Sequence, residues 1–294
     1  MSSMRATVAR SARGLAGHPR LLPATALALR ARTVRPSSAF LARALAGARG
    51  THVYRLRENG LQVAIRHRTG DVVTLGEVFH EHDYRPPPAV AQQLTDVARI
   101  VDLGANIGLF GAFAAARWPR AEIVAFEPDP HNADVHARTI ALNGLQARWS
   151  LTRAAAGARD GRAAFLAGEI ALSRLADERD ASSTPTTPTA GGTPTAGGTP
   201  TASSIEVPIH DVLALLAGAD LVKMDIEGGE WAILCDPRFR AAPPRALVLE
   251  YHPRACPDGD ARRAAESALA AAGLTVQPLW HRADGHGMLW AWRG

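Results

Sequence analysis

The sequence predicts an α/β fold, a Rossmann-like and mostly parallel sheet closed by an antiparallel strand pair, with an N-terminal β-hairpin extension. Three observations carry this expectation. Short apolar strands alternate with helical stretches between residues 100 and 272, the pattern of parallel strands joined by crossover helices. A glycine-containing turn, Gly104-Ala105-Asn106-Ile107-Gly108, joins the first of these strands to its helix. Two apolar segments with no helix between them, residues 276–280 and 288–292, end the chain.

The elements follow in order. Residues 1–50 hold nine arginines and no acid, the composition of a disordered or targeting-like basic tail. The folded domain is expected over 51–294. Tyr54-Arg55-Leu56-Arg57 and Leu61-Gln62-Val63-Ala64-Ile65 alternate around Asn59-Gly60, a hairpin signal. A segment from Asp71 to Tyr84 ends at Pro86-Pro87-Pro88, and residues 89–98 read as a helix. Strands are expected at 100–101, 123–126, 148–154, 221–226 and 246–251, and helices at 107–117, 131–142 and 260–272. Residues 181–204 break this rhythm. They contain the repeat TPTAGG-TPTAGG-TPTASS, which has too little apolar surface to build a core and reads as a low-complexity loop insert.

Composition excludes several classes. No apolar run approaches the ~20 residues of a membrane helix, so no membrane span is expected. The whole chain is +5, but residues 51–294 carry 24 basic and 28 acidic side chains, so the basicity belongs to the tail. That acidic balance argues against nucleic acid as a partner. Cys235 and Cys256 form no C-x-x-C pair, which suits idle thiols in a reducing, cytoplasmic setting. Of 33 basic residues, Lys223 alone is a lysine.

The turn after the first strand carries the ligand chemistry. Gly104 and Gly108 permit a sharp turn and close approach of a ligand to the main chain, with Asn106 between them. Nineteen residues beyond Gly108, Glu127 ends the second strand, where an acid accepts hydrogen bonds from both ribose hydroxyls of a nucleoside. The G-x-N-x-G spacing lacks the three glycines of a pyrophosphate cradle, which disfavours dinucleotides. Asp102 would repel a pyrophosphate but suits the ammonium of a methionine moiety.

Val101–Gly108, Phe126-Glu127-Pro128 and Leu221-Val222-Lys223-Met224-Asp225-Ile226-Glu227-Gly228-Gly229-Glu230 together resemble the FkbM family of methyltransferases. Glu77-Val78-Phe79 with Tyr84, and Glu250-Tyr251-His252-Pro253, extend the resemblance to roughly residues 54–292 apart from the insert. The resemblance implies a class I methyltransferase sheet and S-adenosylmethionine as cofactor. It also implies O-methylation of a sugar or natural-product hydroxyl as the commonest activity. The acceptor is then a small molecule.

Ligands of an open α/β sheet sit outside the carboxyl ends of the strands, where Asp225 and Glu227 stand. Methyl transfer to a hydroxyl needs an aligned acceptor and a base for its proton. Asp225 is the first candidate base, Glu227 the second, and His252, which titrates near neutrality, the third. Glu230 either begins the next helix, where its charge favours the N-terminus, or faces the pocket. Asp225, Glu250 and His252 also offer oxygen and nitrogen ligands to a divalent cation, but their spacing is unspecific and no metal is expected. An RNA methyltransferase, a nucleoside-binding protein without catalysis and an NAD oxidoreductase are the competing classes.

Overall fold

In the computed structural model, residues 24–167, 174–175 and 203–294 are described, with side chains for 24–165 and 205–294. The repeat at 187–202 lies outside the described residues, as do residues 1–23. Ser203 and Ser204, the end of the expected insert, begin a strand.

Seven strands form the main sheet. β4 (Arg99–Leu103), β5 (Glu122–Phe126), β6 (Trp149–Thr152), β11 (Leu221–Met224) and β12 (Ala246–Tyr251) run parallel, and β13 (Leu274–His281) and β14 (Gly287–Arg293) close the edge as an antiparallel pair. The strand order is β13-β14-β12-β11-β4-β5-β6. The chain therefore winds outward from β4 in one direction and from β11 in the other, and a crevice opens at the carboxyl ends of these two neighbours. This is the class I methyltransferase sheet that the resemblance implies.

Central parallel strands are covered on both faces and are apolar for that reason. Ile100, Val101, Leu103, Leu221, Val222, Met224, Leu247 and Leu249 are almost fully buried. Two residues break the pattern, and they stand opposite each other in register: Lys223 pairs with Asp102. One helix fits against the sheet through a missing side chain, since a Cβ on Gly111 would lie 2.0 Å from the Trp149 ring.

The N-terminal boundary differs from the expectation. Residues 24–50 are folded, with a helix at Ala24–Ala31, a short strand β1 (Val34–Arg35) and a helix at Ser37–Leu45. β1 pairs with β2 (Thr51–Leu56), which forms the expected hairpin with β3 (Gln62–Arg66). Ala31, Val34 and Phe40 are fully buried, and Arg30 ion-pairs with Glu81 at 3.2 Å. Composition misleads here because a basic, acid-free segment still places apolar residues at helical spacing. The extension docks through polar contacts to the helix Pro130–Leu142: Asn143 Oδ1 accepts from the Gln62 amide at 2.8 Å, and Thr139 Oγ1 accepts from Ala64.

A second, four-stranded sheet was not anticipated. β7 (Ala155–Gly157), β8 (Gly161–Ala167), β9 (Arg174–Leu175) and β10 (Ser203–Asp211) lie in the order β7-β10-β8-β9. Its sequence signal is the alternation Ile205, Val207, Ile209, which packs against Ala155 and Phe165.

Candidate active site

The site grows from the crevice between β4 and β11. The turn after β4 is built on left-handed backbone at Gly104 (φ 72°), Asn106 (φ 50°) and Gly108 (φ 84°). The reason for glycine differs from the expected one. A Cβ on Gly104 would lie 1.8 Å from the Asp225 carbonyl oxygen, and one on Gly108 would meet the His136 ring at 2.5 Å. The protein's own packing excludes side chains there, before any ligand arrives.

Glu127 ends the run that begins with β5. Its Oε2 accepts from the Asn106 amide at 2.7 Å and its Oε1 from the Asp129 amide at 2.8 Å. Burial pushes this carboxyl up to about 7, against the pull of those two backbone donors. A carboxylate has about four acceptor positions, so two remain for the hydroxyls of a ribose. The pinned acid and the constrained turn fit the nucleoside part of S-adenosylmethionine, which Glu127, Gly104, Asn106 and Gly108 would hold. Asp129, the residue after Pro128, caps the following helix by accepting from the amides of His131 and Asn132.

Asp102 takes a different place from the one expected for an ammonium ligand. It is fully buried within β4, and its charge partner is Lys223 at 3.6 Å. Burial lifts the Asp102 carboxyl to about 6, with Lys223 opposing. Burial alone would lower Lys223, but Asp102 and Asp225 hold the ammonium above its ordinary range. The same Nζ donates to the carbonyl oxygens of Leu103 and Gly104 and lies 3.7 Å from Asp225 Oδ2. Lys223 thus ties the turn, the buried acid and the end of β11 together.

The catalytic candidates converge. Beyond β11, Asp225 is partly exposed, and Glu227 takes left-handed backbone (φ 55°) that turns the chain toward the helix Glu230–Leu234. His252, just after β12, is 4 % exposed. Its Nε2 lies 3.4 Å from Glu227 Oε2 and 3.9 Å from Asp225 Oδ1. Its Nδ1 is hydrogen-bonded to Glu230, which is fully buried. The Trp231 indole donates to the carbonyls of His252 and Arg254 at 3.0 and 2.9 Å and fixes that loop.

Electrostatics correct one role. Burial alone would lower the His252 imidazole, but the hydrogen bond and charge of Glu230, with Glu227 and Asp225, raise it to about 10. His252 is therefore an imidazolium at neutral pH, a donor and counter-charge and not the ready base expected. Burial pushes Glu227 up to about 7, with His252 opposing. Glu250 rises well above its ordinary value through burial and the charge of Asp225. Glu77, at the start of the π-helical turn Glu77–Glu81, and the buried Tyr84 lie within electrostatic reach of Glu250. Nothing but the family pattern pointed to Glu77 and Tyr84 in the sequence, since their position depends on how the extension folds over the sheet.

The sequence profile described as the methyltransferase FkbM domain matches residues 102–273, more than half the chain. The chain belongs to the FkbM methyltransferase family. S-adenosylmethionine-dependent methyl transfer is the chemistry of that family. This FkbM member is 43% identical over 67 residues to methyltransferase sdnD of Sordaria araneosa, a match that covers 23% of this chain and about a quarter (24%) of that protein. Among solved structures it is similar to the precorrin-6y C5,15-methyltransferase of Geobacter metallireducens (13% identity, 70% of this chain and 86% of that one, TM-score 0.38). It is also similar to the N,N-8-amino-8-demethyl-D-riboflavin dimethyltransferase of Streptomyces davawensis (13% identity, 76% and 56%, TM-score 0.40).

Proposed function

We propose that this chain binds S-adenosylmethionine over the turn after β4 and methylates an oxygen of a small hydroxylated acceptor, with Asp225 taking the acceptor's proton. The observation that carries this reading is the position of Asp225. It is a partly exposed carboxylate at the carboxyl end of β11, where the sheet changes winding direction. It stands between two cationic side chains, Lys223 at 3.7 Å and His252 at 3.9 Å, which fix its orientation.

When bound, S-adenosylmethionine supplies an electrophilic methyl carbon on a sulfonium leaving group. The residues of the chain supply the rest. Glu127 and the Gly104–Gly108 turn hold the nucleoside end. Asp225 accepts the acceptor's hydroxyl proton as that oxygen takes the methyl group, and its exposure lets the proton pass on to water. Asp102, too buried to touch a ligand, acts through Lys223 on the turn's carbonyls. Glu227, whose carboxyl is pushed up by burial, is the second candidate base. The acidic balance of residues 51–294 favours a small acceptor over RNA.

The test is Asp225→Asn, which keeps size and shape while removing charge and basicity. Affinity for S-adenosylhomocysteine should stay within about threefold, while turnover at saturating acceptor falls by about 100-fold to 10,000-fold. Sugars and hydroxylated metabolites form the acceptor panel. Near wild-type turnover eliminates Asp225 as the base and passes the role to Glu227.

A further inference from the structure

We propose that Asp225, Glu227 and His252 form a binding site for a divalent cation at the carboxyl end of β11, an inference that rests on the methyl-transfer reading and deepens its acceptor site. One carboxylate oxygen from each acid and one ring nitrogen of His252 lie within 4.8 Å of one another. The sequence shows no such cluster, because Asp225 and Glu227 stand 25 or more positions before His252. The parallel pairing of β11 with β12 brings them together.

The acids are not alone. His252 is a buried side chain whose Nε2 is aimed between them, at 3.4 and 3.9 Å. Ligands at right angles on a cation with bonds of about 2.2 Å stand about 3.1 Å apart, so Nε2 must close on each carboxylate oxygen by under about 1 Å. The far ring nitrogen is held by Glu230, which is fully buried, and whose second carboxylate oxygen has no hydrogen-bond partner. A carboxylate behind the imidazole is the arrangement that orients a metal-ligating histidine and raises its basicity. With Nδ1–H donated to Glu230, Nε2 is the ring nitrogen that faces the two carboxylates, and the position between them holds either the Nε2 proton or a metal ion that displaces it.

Two carboxylates and one imidazole suit a hard to borderline ion such as Mn2+ or Mg2+. Asp225 and Glu227 are both partly exposed, so the site opens toward the crevice. Three protein ligands leave coordination positions free for water or for oxygens of an acceptor. A cation here is bound through Asp225 Oδ1, the oxygen that faces His252, and leaves Oδ2, beside Lys223, for the acceptor's proton; an acceptor with two adjacent oxygens matches the open positions best.

The experiment uses the full chain after chelator treatment and dialysis. Mn2+ is titrated in while free Mn2+ is read by electron paramagnetic resonance, and S-adenosylhomocysteine affinity and melting temperature are measured on the same samples. The expected result is one Mn2+ per chain, displaced by excess Mg2+. Asp225→Asn, Glu227→Gln and Glu230→Gln should each weaken Mn2+ by at least about tenfold. Glu227→Gln, the most exposed of the three, guards against variants that fail to fold. Retained S-adenosylhomocysteine binding in these variants supports a cation site separate from the cofactor site. Absence of Mn2+ uptake at about 1 mM by a wild-type protein that binds S-adenosylhomocysteine overturns the proposal. Unchanged Mn2+ affinity in folded Asp225→Asn and Glu227→Gln variants overturns it equally. Loss of S-adenosylhomocysteine binding in the wild type would instead refute the methyl-transfer reading itself.

Discussion

Replacing Lys223 by Met tests the electrostatic frame of the site. The Lys223 Nζ lies 3.6 Å from an oxygen of Asp102, which is fully buried and has no hydrogen-bond partner on either carboxylate oxygen. At an effective dielectric near 20, Coulomb's law puts that attraction at about 4.6 kcal/mol, most of it cancelled by the cost of burying both charges. Lys223→Met removes the attraction and keeps the Asp102 burial cost. The expected loss is about 3–5 kcal/mol, or about 6–20 °C in melting temperature for a domain of this size. Lys223→Met/Asp102→Asn removes both charges and should recover at least about 2 kcal/mol of that loss. The pH dependence has a definite sign. Without Lys223, the Asp102 carboxyl in the folded state rises further above its unfolded value. The folded state then binds the proton more strongly, and stability falls as pH rises from about 5 to 8. Denaturant unfolding of the wild type, Lys223→Met, Asp102→Asn and the double variant at pH 5.5 and 8 is the assay. A Lys223→Met loss below about 1 kcal/mol, or strict additivity in the double variant, would refute the reasoning.

Other outcomes follow from the same geometry. Glu127 is pushed up to about 7 and must be ionised to accept the ribose hydroxyls, so S-adenosylhomocysteine affinity should rise about tenfold between pH 6 and 8. Calorimetry should show Glu127→Gln about tenfold to 100-fold weaker and flat with pH; a flat wild-type profile counts against this role. Gly104→Ala should destabilise the fold by more than about 3 kcal/mol, because its Cβ would meet the Asp225 carbonyl at 1.8 Å on left-handed backbone. A Gly104→Ala protein that melts like wild type would show that the turn relaxes freely. Removing residues 1–45 takes Ala31, Val34 and Phe40 from the core and Arg30 from Glu81. A drop above about 10 °C, or insoluble protein, is expected, and an unchanged melting curve would place the domain boundary after Leu45.

The alternation of short apolar strands with helices, the closing pair and the hairpin were legible because each is a local pattern of period 2 or 3.6. The strand at Ala246–Tyr251 and the helix at Ala261–Ala271, with Asp260 as its cap, match the reading almost residue for residue. Gly104, Gly108 and Glu127 were legible for a similar reason, since a strand, a tight turn and a helix place them within a few residues of known backbone. Other features depend on contacts across long stretches of sequence. Composition marked residues 24–45 as tail, although a few apolar side chains among many arginines are enough to anchor them once a hydrophobic surface is available. Asp102 and Lys223 are 121 positions apart and became partners only when β4 and β11 paired in register. His252 changed from a near-neutral base to an imidazolium because folding packed it against Glu230, Glu227 and Asp225. Sequence patterning determined which elements form and placed the candidate residues at the carboxyl ends of the strands. The tertiary structure decided the charges there, because a side chain's proton affinity is set by burial and by neighbours that distant segments supply.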